Sequence, residues 1–152
     1  MTVPMESVSE DSSANLRLGI EQFNQGDYYA CHDTIESIWM TAETVDKPFY
    51  QGILQIAVGL YHLSNLNWQG AAILMGEGTN RLYAYEPSHR GVDVTDLVSQ
   101  ALSWLEALQS IAPDQVDSLA AHLSALTAQL EVSSERWTLT VPHIGSASYD
   151  GE

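Results

Sequence analysis

Positive charge is scarce in this chain. Lys and Arg total 5 against 20 Asp and Glu, a formal net charge of −15 over 152 residues. So acidic a surface repels phosphate backbones and anionic lipid, which argues against nucleic-acid and membrane partners. Cysteine is nearly absent as well. Cys31 stands alone, so no intrachain disulfide can form, and a reducing compartment suits the chain. No apolar run is long enough to span a bilayer. The strongest, from Gly52 to Leu66, is interrupted by Gln55, His62 and Ser64. The first fourteen residues are rich in Ser and acid and lack both the basic and the apolar region of a secretory signal. The expectation is a soluble, cytoplasmic protein kept in solution by its acidity.

What is present is helical periodicity. An apolar fraction of 45% is ordinary for one globular domain of this length. Residues 1–14 read as a disordered leader. Leu16, Ile20 and Phe23 then recur at i, i+4, i+7, and Gly26-Asp27 closes that helix and opens the next. A second helix is expected from about Tyr28 to Ala42. A third, opened by Lys47-Pro48, runs to about Leu66 and is apolar nearly all round, which makes it central. In it, Gly52 and Gly59 share a face, as do Gln55 and His62. Helix-interior glycine costs about 1 kcal/mol against Ala, so a close neighbouring backbone or ring is expected there.

After a turn at 65–67, a fourth helix carries Ala71, Leu74, Gly78, Leu82 and Tyr85 as its stripe. Glu77 and Arg81 form an i, i+4 pair on it. The segment 86–93 (E-P-S-H-R-G-V-D) reads as a loop, in which His89-Arg90 suits either a solvated turn or an anion. Asp93 or Thr95 caps a fifth helix bearing Leu97, Ala101, Trp104, Leu105 and Leu108. Pro113 precedes a last one, where Val116, Leu119, Ala120, Leu123, Leu126 and Leu130 form a stripe. That stripe suits packing in the same bundle or a homo-oligomer contact. Residues 136–144 alternate weakly and read as an extended arm laid on the bundle, with 145–152 a polar tail. The fold class expected is all-α: a compact bundle of five or six helices, one domain over 15–144.

The chemistry concentrates between Phe23 and Trp39. His32 and Glu36 are four apart, about 40° beyond one full helical turn, so imidazole and carboxylate stack on one side of the second helix. With Tyr28, Ile35 and Trp39 taken as the same face, the pair is expected to point inward. Cys31 lies about 100° away and reads as a small buried apolar residue.

Phe23, Gly26, Tyr28-Tyr29, His32, Glu36 and Trp39 are followed by Gln51-Gly52-Ile53-Leu54-Gln55, Ala57, His62, Asn67, Gly70-Ala71 and Leu74. This order resembles the domain-of-unknown-function family 309. That family carries an H-x-x-x-E-x-x-W/Y motif, met here by His32, Glu36 and Trp39. It also carries a Q-G-L-I-Q-like signature, met by Q-G-I-L-Q at 51–55. The resemblance runs from about Phe23 to Tyr85 and departs at Asp33, where many relatives have Glu. It implies a small all-helical fold and a metal site, and brings no substrate with it.

Two functions follow as expectations. In the first, Tyr28, His32, Glu36, Trp39, Gln55 and His62 form a buried polar network or a small-ligand site between helices, with Tyr61 beside it, in a non-enzymatic module. In the second, His32 and Glu36 ligate a divalent metal, zinc or iron, joined by His62 or Gln55, in a metal-dependent hydrolase. A metal-free His–Glu dyad lacks a nucleophile: Cys31 is turned away and no Ser lies in a G-x-S-x-G context.

Overall fold

The computed structural model describes residues 5–131 and 136–147. Six α-helices occur among them: α1 Met5–Asn24, α2 Tyr28–Thr41, α3 Lys47–Ser64, α4 Trp68–Leu82, α5 Val94–Gln109 and α6 Val116–Thr127. The all-α expectation holds. Single 3₁₀ turns at Tyr83–Tyr85 and Pro113–Gln115 flank the fifth helix. A two-residue antiparallel ribbon, β1 Ser88–His89 and β2 Val92–Asp93, precedes it.

The helix ends follow local chemistry. Gly26 takes φ +82°, the left-handed conformation that ends α1, and its backbone N–H returns to the Phe23 carbonyl. Asn67 caps α4 by accepting from the Gly70 N–H at 2.9 Å. Asp93 caps α5 through the Asp96 N–H at 3.0 Å. Pro48 opens α3, where its missing N–H costs nothing.

The rod α3 is the hub: it packs against α2, α4 and α6, while α1 lies on α2 and α5 on α4. Phe49, Ile53, Ile56, Leu60 and Leu63 are buried along it. Its glycines answer the close approach anticipated for them. A Cβ on Gly59 would sit 2.4 Å from the Met75 Cγ, and one on Gly78 of α4 would sit 2.7 Å from the Gly52 carbonyl oxygen. Three glycines thus let two backbones meet where no larger residue fits.

Several boundaries differ from the sequence reading. The first helix begins at Met5, so part of the expected 1–14 leader is helical. No Pro or Gly interrupts the chain between Met5 and Leu18, so nothing in the sequence breaks a helix there. Residues 1–4 and 148–152 of the expected leader and tail lie outside the described residues. The 136–144 arm is extended on the bundle, as expected, but the pairing continues beyond it. Asn24 exchanges two hydrogen bonds with the Ile144 backbone, at 3.1 and 2.7 Å. Gln100 does the same with His143, at 2.8 and 2.9 Å. Trp104 Nε1 donates to the Thr140 carbonyl at 3.0 Å. Gly145 and Ala147, expected in the polar tail, join the ribbon: Asp93 N–H donates to Gly145 O, and Ala147 N–H to Gly91 O.

The stripe of α6 is committed to its own bundle. Val116, Leu119 and Leu123 are buried there, while Leu130, past its end, is exposed. Among the described residues no helix is long and apolar enough to cross a membrane.

Candidate functional site

On α2 the buried residues are Tyr28, Cys31, Ile35 and Ile38. This 3-4-3 spacing sets the phase of the helix, and it corrects the expected inward face. His32 and Glu36 each follow a buried position by one residue, about 100° round the helix, which carries them to the shoulder of the buried stripe. The His32 side chain is 24% exposed and that of Glu36 is 49% exposed. They do meet, with Nε2 3.4 Å from Oε2. On the opposite side of the ring, Nδ1 lies 3.2 Å from Asp33 Oδ1. Two carboxylates therefore flank different nitrogens of one imidazole and cannot converge with it on a common point. Among the described residues no group of three or more His, Cys, Asp or Glu side chains is placed to hold a metal. The three protein ligands that a catalytic zinc takes are not assembled by His32 and Glu36.

The remaining residues of the expected network disperse. Gln55 is buried but engages α4. Its amide donates to Glu77 Oε1 at 3.3 Å, and its carbonyl accepts from Arg81 Nε at 2.9 Å. Glu77 and Arg81, expected as a pair with each other, both reach this glutamine. His62 lies at the end of α3 with Nδ1 3.4 Å from Asn67 Nδ2. Tyr28 packs edge-on against Phe23 at 5.4 Å between ring centres, and burial raises its phenol pKa. Trp39 lies under the Lys47 ammonium, 4.8 Å from the ring centre. What links α2 to α3 outside the core is a string of rings: His32 to Tyr29 at 6.1 Å, Tyr29 to Tyr61 at 5.2 Å, Tyr61 to His62 at 6.3 Å.

A more tightly built constellation sits elsewhere. Asp46, in the turn between α2 and α3, is 3% exposed. An anion that deep needs partners, and two come from the ribbon. His89 Nε2 donates to Oδ1 at 2.7 Å, and Arg90 Nη2 donates to Oδ2 at 2.5 Å. The His89 ring is held between Phe49 and Tyr85, 4.7 Å from each ring centre, and Tyr85 donates to the Val45 carbonyl at 2.6 Å. The guanidinium of Arg90 holds the Asp46 carboxyl below the usual carboxylate range, while Asp46 raises Arg90 in turn.

Arg90 itself stands in an unusual backbone state. Arg90 and Gly91 form the two-residue turn of the ribbon with φ +50° and +77°. Positive φ at both central positions is the type I′ pattern, where Asn-Gly is the favoured pair. Arginine in the left-handed region costs about 1 kcal/mol. Its bond to Asp46 offsets that strain.

Above this cluster opens a cleft of about 480 Å³. Its walls come from distant segments: Ser12, Leu16 and Arg17 of α1, Ile38 and Thr41 of α2, Glu43 and Asp46 of the α2–α3 turn, Tyr50 of α3, and Arg90 of the ribbon. Sequence reasoning noted His89-Arg90 but missed the partner at Asp46. One signal was legible: X-Gly between two short extended pairs is a hairpin pattern. Nothing local pointed to a carboxylate 43 residues upstream.

Fold and site together define a small all-helical domain with a polar cleft at the junction of α1, the α2–α3 turn and a short ribbon. Residues 16–74 match the family model described as Domain of unknown function (DUF309), and over that stretch the resemblance read from the motifs is established. The uncharacterized protein YpuF of Bacillus subtilis (strain 168) is 32% identical over 101 residues, covering 66% of this chain and 55% of YpuF. The chain thus spans about half the length of that curated relative. No solved structure matches.

Proposed function

We propose that this protein is a non-enzymatic helical module that binds a small polar molecule in the cleft over Asp46. The observation that carries the reading is the cleft itself. It has ligand-sized volume, walls from α1, α2, the start of α3 and the ribbon, and a buried carboxylate at its base tied to a strained arginine at its rim. Strain of this kind persists where surrounding contacts over-determine it, and functional clefts are common places for it. The His32–Glu36 pair serves packing in this reading, orienting the imidazole at the shoulder of α2.

Saturation-transfer NMR with a mixed library of charged and neutral polar fragments tests the proposal on the full chain, beside Ser12→Trp, which fills the cleft from α1. Saturable binding lost in the variant is the expected result. A library that yields no binder, or binders indifferent to Ser12→Trp, overturns the reading.

A further inference from the structure

The five cations of this acidic chain are not spread evenly. Lys47 lies over Trp39, Arg81 donates to Gln55, and Arg136 reaches Gln115 and the Trp137 ring. The other two, Arg17 and Arg90, line the same cleft. Arg17 makes no hydrogen bond or ion pair among the described residues and projects from an exposed position on α1. Arg90 uses one nitrogen, Nη2, on Asp46 and leaves the rest of a half-exposed guanidinium toward the opening. A third group completes the set. Tyr50 lines the cleft at 5% exposure, with Arg90 and Asp46 as its charged neighbours.

Two guanidiniums and a phenol thus face one cavity, which they share with the carboxylates of Asp46 and Glu43. Asp46 is already engaged, by His89 at Oδ1 and by Arg90 at Oδ2, so Glu43 is the anion near Arg90 that an incoming oxyanion must displace. Leu16, Ile20 and Ile38 supply the apolar part of the lining. We propose that the ligand is a small organic oxyanion, a carboxylate or phosphate monoester with an apolar body. Arg17, Arg90 and Tyr50 take the acid group, and Leu16, Ile20 and Ile38 take the body. The net charge of −15 does not defeat this. Exposed charges more than about 8 Å away are largely screened at physiological ionic strength, whereas the two arginines act at contact.

This inference rests on the cleft being the ligand site, and the test separates the two. Calorimetric titration of the full chain with benzoate, phenyl phosphate, inorganic phosphate and neutral benzyl alcohol provides the comparison. The expected result is binding of benzoate or phenyl phosphate at least about tenfold tighter than benzyl alcohol. Whichever of the two binds better identifies the acid group. Arg17→Gln and Tyr50→Phe should each erode that preference without altering the thermal midpoint. Inorganic phosphate binding as tightly as phenyl phosphate overturns the apolar body. Benzyl alcohol binding as tightly as the anions, and blocked by Ser12→Trp, overturns the oxyanion while the cleft reading stands. Failure of all four probes overturns the oxyanion, and the fragment screen then decides the cleft separately.

Discussion

His89 and Asp46 meet across 43 residues of sequence, imidazole Nε2 to carboxylate Oδ1 at 2.7 Å, with the carboxylate almost wholly out of water. The contact fastens the ribbon before α5 to the turn before α3. It also holds the next residue, Arg90, over the cleft. Loss of the carboxylate therefore strikes stability and site geometry together.

Asp46→Ala is expected to destabilise the protein by about 2 kcal/mol. That is the scale for a buried charged hydrogen-bonding partner, discounted because Arg90 is half exposed. Denaturant unfolding followed by circular dichroism checks the value.

The same carboxylate makes stability depend on pH. Its pKa is lowered in the folded state, chiefly by the hydrogen bond from Arg90, so the native protein binds its proton less readily than the unfolded chain. The contribution is complete above the unfolded carboxylate value of about 4 and is lost as pH falls through the lower folded value. The stability gap between wild type and Asp46→Asn should be constant from about pH 7 to 5 and shrink below about 4. A gap that widens on acidification would contradict the pairing.

Gly78→Ala is expected to destabilise by about 2 kcal/mol, although alanine favours an isolated helix by about 1 kcal/mol. The added Cβ would meet a backbone oxygen, that of Gly52 at 2.7 Å, which has no rotamer to yield. Gly76→Ala on the same helix meets nothing closer than 4.0 Å and should be neutral or stabilising. Thermal midpoints of the two variants provide the comparison.

Glu36→Ala should cost less than about 1 kcal/mol, because the carboxylate is half exposed and its contact with His32 is long. A fall in thermal midpoint as large as that of Asp46→Ala would restore the inward placement read from the motif.

Cys31 is fully buried, and burial pushes its thiol up to about 12. At pH 8 the native protein should leave a thiol reagent such as dithionitrobenzoate unreacted, and unfolding in guanidinium should release one equivalent. Rapid reaction of the native chain would place Cys31 at the surface.

The α-helices were legible because their signals are local. Gly26-Asp27, Lys47-Pro48 and the turn at 65–67 punctuate stripes that recur every three to four residues, and each of these boundaries lies where those residues put it. The central rod announced itself by being apolar nearly all round. The phase of α2 was misread from the same kind of evidence. Tyr28, Ile35 and Trp39 suggest one face, and Tyr28, Cys31, Ile35 and Ile38 suggest another turned partly away from it. On a helix with aromatics on its shoulder, only the neighbours decide which stripe is deepest.

Composition, periodicity and capping residues by themselves determined that this chain is an acidic, all-helical domain. They also determined that α3 lies at its centre with glycines against a neighbour, and that Cys31 is interior. Those properties depend on interactions within a few residues, or on the total apolar content. Tertiary structure alone decided that His32 and Glu36 stand at the shoulder of α2, and that Gln55 serves Glu77 and Arg81. It alone brought Asp46 to Arg90 and both to a cleft shared with Arg17 and Tyr50. A buried carboxylate takes whichever cation the packing of separate segments delivers to it, and that choice is written in three-dimensional proximity, not in spacing along the chain.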